Sequence, residues 1–594
     1  MLRNAWLSVD FDPITIAEVQ QMDDTIAEDR LAGKRLQFGT AGLRARMGAG
    51  WDRMNSLTVL QTTQGLAAHL EHLADHSLDT WKLQGVVIGF DGRYNSEKFA
   101  NVAAAAFLAR GIRVHLFGAM TPTPFTPYLV HKLGSLAGIQ ITASHNPMQD
   151  NGYKLFGPDG SQITPPTDSE IAAEILQNLT PNKYALRLLG KDLFLKSDAQ
   201  LAFRKSKMLS DPLVELPMSV DSLPIGVSEH YSRDVSEDLC RFPSLNSEST
   251  LRFSYTATHG VGYSPVAELW KAFKLPMSSL LPVPKQRFPD PDFPTLAFPN
   301  PEEKGALDLA LAHADDHDCD YVIANDPDAD RFTAAERQRD GTWKFFTGDQ
   351  LGVIFSDWKI QNFKEEPANG LLVTSVVSSR MLSALAARRG CRYCDTLTGF
   401  KYMASKSISE RLREPRLKHL LAYEEAIGYQ LTATVPDKDG ISAACVWAEM
   451  CNAYRSRAML VSERFEELQK ELGIFLTNNS YFISRDPTVT DELFDSFRAK
   501  GYQLPDFRVT MVKDVTRGLG SDLPATPEAQ MIQFEVSDDS RMTGVVTLRA
   551  SGTEPKIKYY TEVCCESEAA GVAFLERVVA SITRNFFGNM AAAK

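Results

Sequence analysis

Ala137-Gly138-Ile139-Gln140-Ile141-Thr142-Ala143-Ser144-His145-Asn146-Pro147 joins a short, nearly uncharged run to a polar hexapeptide, and its reading decides the fold. Residues 137–141 read as a strand buried on both faces, the kind found inside parallel sheets. Asn146-Pro147 and Asp150-Asn151-Gly152 read as turns, so Ser144 and His145 are expected on a tight loop at the strand's carboxyl end. Ligands of open α/β sheets bind at such ends. A serine ahead of Asn-Pro can also do no more than start a turn. What argues for chemistry is the set of polar loops that accompanies it along the chain.

Upstream, Val86 to Phe90 reads as a buried strand ending at Asp91, Phe99 to Arg110 as a helix and Ile112 to Phe117 as a further strand. This alternation is an α/β signature. Phe38-Gly39-Thr40-Ala41-Gly42-Leu43-Arg44 reads as a close-packed loop from which Arg44 reaches an anion, or as a plain glycine turn. From about Pro181 to Asp234 periodicity fades, and an interdomain connection with some helix is expected.

A second α/β run starts near Leu251 and reaches the strand Asp320 to Ala324, followed by Asn325-Asp326-Pro327-Asp328-Ala329-Asp330-Arg331. Carboxylates at 326, 328 and 330 can converge on a hard divalent cation. An EF-hand is excluded, because its glycine position is Arg331 and its glutamate position is Arg337. A solvated acidic turn is the alternative, at the cost of self-repulsion.

A third run places a strand at Leu371 to Val377, a helix at Ser379 to Arg389, the loop Thr396-Leu397-Thr398-Gly399-Phe400-Lys401, and a strand Leu420 to Tyr423 ending in Glu424-Glu425. Acidic side chains at a strand end suit sugar hydroxyls. Asp437-Lys438-Asp439-Gly440 follows and can be a solvated turn. In the last segment, Val545 to Arg549 and Ile557 to Val563 alternate like antiparallel strands about Ala550-Ser551-Gly552-Thr553-Glu554-Pro555, which reads as a phosphate cradle or a polar hairpin loop.

A chain of 594 residues exceeds one hydrophobic core, and three to five domains are expected. A net charge of −12 argues against general affinity for nucleic acid or anionic membranes. The longest apolar stretch, around Val102 to Leu108, is far short of the roughly 20 residues of a bilayer span. The first residues lack a signal-peptide core, so a cytoplasmic protein is expected. Eight scattered cysteines, among them Cys445, Cys451 and Cys564, are expected as buried free thiols, and the lone pair Cys391/Cys394 carries no zinc signature.

With four such loops in order, the chain resembles the α-D-phosphohexomutase superfamily over nearly its whole length. The motifs are Thr-Ala-Ser-His-Asn-Pro, Asp-Pro-Asp-Ala-Asp-Arg, Glu-Glu-Ala-Ile-Gly-Tyr and Arg-Ala-Ser-Gly-Thr-Glu-Pro-Lys. The wording at Phe38 to Arg44, Thr396 to Lys401 and Phe298 to Glu303 is similar to the phosphoglucomutase-2 and phosphopentomutase branch, which includes a glucose-1,6-bisphosphate synthase. The resemblance implies three α/β domains with mixed sheets and a C-terminal α+β domain around one cleft. The corresponding segments are 1–205 with the phosphoserine loop, 206–340 with the metal loop, 341–465 with the sugar loop and 466–594 with the phosphate loop.

It also implies a phosphoglucomutase or phosphopentomutase acting through a phosphoserine at Ser144 and a bisphosphate intermediate, with glucose 1,6-bisphosphate or a pentose bisphosphate as primer. Mg2+ would be held by Asp326, Asp328, Asp330 and an oxygen on Ser144. Arg44 and Arg331 match positions of electrostatic support, and His145, Lys154 and Lys438 are unranked proton-transfer candidates. Thr398, Gly399, Lys401, Glu424 and Ala426 match sugar-loop positions, and Arg549, Ser551, Gly552, Thr553 and Lys558 the clamp on the phosphate that is not reacting. Ala426 departs from the serine of many hexose-specific members. The partners implied are small phosphosugars, with a monomer expected and oligomers left open. A bisphosphate synthase or phosphomannomutase, a metal-dependent phosphatase and a non-catalytic homologue are the rival readings; the phosphatase leaves the Ser551 loop unexplained.

Overall fold

The computed structural model describes residues 2–39, 42–74, 81–190, 220–222, 226–484, 486–521, 523–526, 529–538, 542–550 and 556–588. They form two compact units, one of Met1–Leu351 with Gly399–Leu460 and one of Gly352–Thr398 with Val461–Lys594.

In the first unit, strands β1 (Leu43–Arg46), β2 (Val86–Phe90), β3 (Val114–Leu116), β4 (Ala137–Ile141), β5 (Asp150–Phe156) and β6 (Val220–Ser222) form a sheet of order β1-β5-β4-β2-β3-β6. β4, β2, β3 and β6 are mutually parallel, while β5 and β1 are antiparallel additions at one edge. Every residue of β2 and β4 is buried, as expected of strands covered on both faces. Helices Ser56–Leu73 and Ser96–Leu108 supply much of that cover, and the alanine run 103–106 keeps the second helix close to the sheet.

A second mixed sheet follows, with β7 (Phe253–Thr256), β8 (Leu280–Pro282), β9 (Tyr321–Ala324), β10 (Thr333–Arg337) and β11 (Trp343–Phe345) in the order β11-β10-β9-β7-β8. In the second unit β12 (Gly370–Ser375) and β13 (Arg392–Thr396) pair in parallel, while β14 (Lys418–Glu424) and β15 (Gly428–Gln430) pair antiparallel in the first. The C-terminal sheet of the second unit contains β16 (Ile474–Thr477), β17 (Ser480–Ile483), β18 (Arg508–Asp514), β19 (Met531–Ser537), β20 (Thr543–Ala550) and β21 (Lys556–Cys565), all antiparallel, packed on the helix Glu568–Ile582. The architecture is thus α/β with mixed sheets, followed by an α+β segment.

Three local expectations are corrected. Asp150-Asn151-Gly152 opens β5 rather than a turn: Asn151 is buried, with its amide donating to Tyr94 O and Ser96 Oγ, which offsets the desolvation that normally keeps asparagine out of strands. Arg44 lies in a strand, opposite Gly152, not in a loop. Cys564 is exposed because it falls on the outward side of β21, whereas Cys445 and Cys451 are buried. The helix expected between Pro181 and Asp234 is present among the described residues at Lys183–Leu189 and Val227–Leu239, with residues 191–219 and 223–225 outside the described set.

Candidate active site

Several carboxyl ends of strands in the first unit meet at Ser144. The Ser144 backbone is left-handed at φ +53°, which a non-glycine residue holds only when its surroundings fix it. Two buried groups do so. Thr142 Oγ1 accepts from Ser144 N at 2.8 Å and donates to Asp91 Oδ2 at 2.6 Å. Arg93, paired with Asp91 at 3.3 Å, donates to four carbonyls of the loop: Ser144 and Asn146 at 2.6 Å, Pro147 at 2.9 Å and Asp150 at 3.3 Å. One guanidinium therefore bonds four carbonyls of this stretch, and Pro147 O also accepts from Asp150 N at 3.0 Å.

Ser144 Oγ donates to Asp326 Oδ2 at 2.7 Å and lies 3.3 Å from His145 Nδ1. Asp326, Asp328 and Asp330 are buried, and one oxygen of each lies within 4.8 Å of the others. The loop is held from both sides. A Cβ on Gly260 would sit 2.2 Å from Pro327, and one on Gly440 2.1 Å from Arg331 O, so only glycine fits at either contact.

Cations offset the triad. Lys154 Nζ donates to Asp328 Oδ2 at 2.6 Å and Asp330 Oδ2 at 2.5 Å, Lys438 Nζ lies 3.4 Å from Asp330, and Arg331 Nε lies 4.0 Å from both Asp326 and Asp330. Thr123 Oγ1 adds a bond to Asp328 at 2.6 Å. Asp328 Oδ1 and Asp330 Oδ1 remain fully buried without a hydrogen bond. Two orphaned carboxylate oxygens beside a third carboxylate form the all-oxygen donor set of a hard divalent cation, so the residues present fit one.

Burial, then the charges of Asp328 and Asp330, push Asp326 well above the usual carboxylate range. Burial opposes ionisation of Asp328 and Asp330 too, but Lys154 overrides it and holds both below that range, helped at Asp330 by Lys438 and Arg331. His145 is driven far down by burial and by Arg331 and Arg44, which leaves a neutral imidazole at neutral pH. Lys438 is raised despite burial by Asp330, Asp437 and Glu424. Glu424 closes β14 and is raised by burial, and Arg44 is half-buried, with a buried Nε that makes no hydrogen bond.

The first unit thus gathers Ser144, His145, Lys154, Arg44, Arg331, Lys438, Glu424 and the three aspartates, with Ala426 two residues past Glu424. Gly399 starts the helix Phe400–Arg413, on which Lys401 lies 3.6 Å from Asp168 and is lowered by burial. Thr398 is in the second unit, its hydroxyl buried and unpartnered. Arg549 and Lys558, also there, face each other across β20 and β21. Ser551, Gly552 and Thr553 lie outside the described residues. Asp91, Thr123 and Arg93 are additions. Asp91 was legible as a strand end, but nothing in Asp91-Gly92-Arg93 announces that the arginine serves a loop some 50 residues on.

A serine hydroxyl on an aspartate, three carboxylates converging for a cation and four flanking cationic side chains make this an α/β site for moving phosphoryl groups. Residues 35–181, 229–341 and 347–471 match the α/β/α domains I, II and III of phosphoglucomutase/phosphomannomutase. The chain is 38% identical to the mouse protein named phosphopentomutase, covering 98% of this chain and 93% of the relative. It is 35% identical to human glucose 1,6-bisphosphate synthase, again over 98% and 93%. Its fold matches the Paramecium phosphoprotein pp63/parafusin, a phosphoglucomutase, with a TM-score of 0.65 at 18% identity over 94% of this chain and 97% of that one. The chain belongs to the phosphoglucomutase/phosphomannomutase family of the α-D-phosphohexomutase superfamily, on its phosphopentomutase branch, and is a mutase of the intramolecular phosphotransferase kind. Among the described residues no helix is long and apolar enough to cross a membrane.

Proposed function

We propose that the enzyme moves a phosphoryl group between C1 and the terminal hydroxyl of a sugar phosphate, C5 of ribose or deoxyribose and C6 of glucose, with Ser144 as the carrier. The observation that carries this is the Ser144 hydroxyl, strained into place, 2.7 Å from Asp326 and ringed by cations. Phosphoserine gives its phosphoryl group to the free hydroxyl of a monophosphate: the Ser144 O–P bond breaks, a bond to the sugar oxygen forms, and the hydroxyl proton goes to a base. The other phosphate of the resulting bisphosphate then returns to Ser144. His145 is neutral and able to take a proton, whereas Lys438 is held protonated and serves as a counter-charge. Arg44, Arg331 and Lys154 neutralise the group in transit.

Asp326, Asp328, Asp330 and an oxygen on Ser144 would hold Mg2+, which when bound supplies positive charge against the transferring group. Glu424 takes sugar hydroxyls, with Thr398, Gly399 and Lys401 contributing to the sugar loop. Arg549, Ser551, Gly552, Thr553 and Lys558 clamp the idle phosphate. Glucose 1,6-bisphosphate or a pentose bisphosphate primes the serine. Eight free thiols support a reducing cytoplasm as the setting, where the enzyme acts as a monomer.

Pentose 1-phosphates are the preferred substrates in this reading. Ala426 presents no hydroxyl that a smaller sugar would leave unsatisfied. It also cannot replace a bond to a hexose hydroxyl, worth about 0.5–1.5 kcal/mol. Initial rates on ribose 1-phosphate and glucose 1-phosphate, with glucose 1,6-bisphosphate present, test this for wild type and Ala426→Ser. Ribose 1-phosphate is expected to be used at least as well, and serine to move the ratio toward glucose. A preference for glucose 1-phosphate beyond about tenfold, or about 1.4 kcal/mol, would make the enzyme a plain phosphoglucomutase. The likeness to a human glucose 1,6-bisphosphate synthase supports a second reading, in which free bisphosphate accumulates as product.

A further inference from the structure

The first unit holds a cavity of about 320 Å3, none of whose lining residues has a part in the chemistry above. It is lined by Thr121 after β3, by Gly260 and Val261 after β7, and by Tyr263, Arg287 and Phe288. That volume is enough for a small molecule. The surrounding chain is fixed: Thr121 N donates to Phe90 O at 2.8 Å, Val261 N donates to Pro327 O at 2.8 Å, and Gly260 sits against Pro327 with no room for a Cβ. The space is therefore formed before any ligand arrives, which lowers the cost of binding one.

Arg287 is the informative group. Its guanidinium carbon lies 4.0 Å from the centre of the Tyr263 ring and 4.8 Å from that of Phe288, and the two rings stand edge-on at 6.3 Å. The rings hold a planar cation in place, but they offer no lone pair to its five N–H donors. Among the described residues Arg287 makes no hydrogen bond and no ion pair, and its Nε is buried without a partner. A buried donor left in that state is uncommon in folded proteins. The acid that lines the cavity, Glu268, does not serve as counter-charge: it accepts from Ser228 Oγ and lies beyond ion-pair distance of Arg287. Phe288 and Met120, which also line the cavity, are 59% and 53% exposed, so apolar surface stays open to water beside the fixed cation.

We propose that this cavity is a second binding site, which takes a small organic anion: a carboxylate or phosphate group pairs with Arg287, and the flat apolar body that carries it packs on Phe288 and Met120. An anion supplies the acceptors that the guanidinium lacks, in the planar geometry that arginine binds best.

The test is fluorine NMR of the full chain with 6-fluoro-2-naphthoate, and with 6-fluoro-2-naphthalenemethanol as the same rings without the charge. The acid is expected to bind saturably with Kd below about 1 mM, and the alcohol at least about tenfold more weakly. Arg287→Gln should weaken the acid by at least about tenfold and the alcohol by less than about threefold. Phe288→Ala, at an exposed position whose truncation spares the core, should weaken both by at least about threefold and keeps the test decisive where Arg287→Gln fails to fold. Added glucose 1,6-bisphosphate should leave the acid bound. A parallel titration with 6-fluoro-2-naphthyl phosphate separates the head groups, the tighter anion naming the one the site takes. Absence of saturable binding by either anion, equal affinity for the alcohol, wild-type affinity in Arg287→Gln or Phe288→Ala, or displacement of the acid by glucose 1,6-bisphosphate each overturns the proposal.

Discussion

At the scale of single residues, two side chains do unlike work on one loop. In the proposed mechanism Ser144 is the reacting group, and its removal is the sharper experiment. Intact-mass measurement should find one phosphate on a fraction of the protein, located at Ser144, and Ser144→Ala should lower turnover by at least about a hundredfold. Residual turnover near the wild-type rate would remove Ser144 from the mechanism. Arg93 touches no reacting atom, but it supplies hydrogen bonds to four carbonyls and pairs with buried Asp91. Arg93→Met strips that acid of its counter-charge and those carbonyls of a charged donor, while Thr142 and Ser96 still donate to Asp91, a loss of about 3–5 kcal/mol. Denaturant midpoints should show it; a variant as stable as wild type would mean that the loop does not depend on the guanidinium. The contrast explains what could be read in advance. Ser144 was legible because its own neighbours in the chain are turn formers, whereas the partners of Arg93 are main-chain carbonyls, which every sequence carries alike.

Among the elements, strand ends were easier to place than strand edges. The buried runs 86–90 and 137–141 can be read from their composition, since nothing polar interrupts them except Gln140, whose amide is bonded to Thr121 O. β5 could not, because its first residues are Asp-Asn-Gly and their strand character depends on contacts with Tyr94 and Ser96 far away. Glu562 is a comparable case in the second unit. From β21 it accepts hydrogen bonds from Ser379 Oγ and Arg380 N, at the start of the helix Met381–Arg389, with Arg380 N at 3.0 Å. Burial raises its carboxyl to about 7, against the opposing pull of Ser379 and Arg380. A carboxyl raised on folding favours the folded state below its unfolded value near 4.5 and loses that advantage as pH rises toward 7. Glu562→Gln removes this titration. Relative to wild type the variant should gain stability between pH 4.5 and pH 7, by up to roughly 3 kcal/mol. A stability difference that stays constant over that range would mean that the carboxyl is not raised.

At the scale of the molecule, the chain passes three times between its two units, and the chemical groups are divided unequally. Ser144, the triad and Glu424 belong to the first, while Arg549 and Lys558 belong to the second. Their order along the sequence made the family legible, since motif order survives any folding of the chain; the division into units did not, because residues 399–460 join a unit that begins hundreds of residues earlier. The division has a thermodynamic consequence. Burying three carboxyl groups together works against folding of the first unit even with Lys154 among them, and the two orphaned oxygens on Asp328 and Asp330 add an unsatisfied desolvation cost. A divalent cation that binds only the folded triad offsets both, and by mass action it contributes about 2.7 kcal/mol at a hundredfold excess over its dissociation constant. Mg2+ should therefore raise the thermal midpoint of the wild type, chelator should abolish both that rise and turnover, and Asp328→Asn should respond to Mg2+ far less. The melting readout separates binding from chemistry, because it needs neither substrate nor phosphoserine. An equal Mg2+ response in Asp328→Asn would place the cation elsewhere on the molecule, and full turnover in excess chelator would remove it from the reaction.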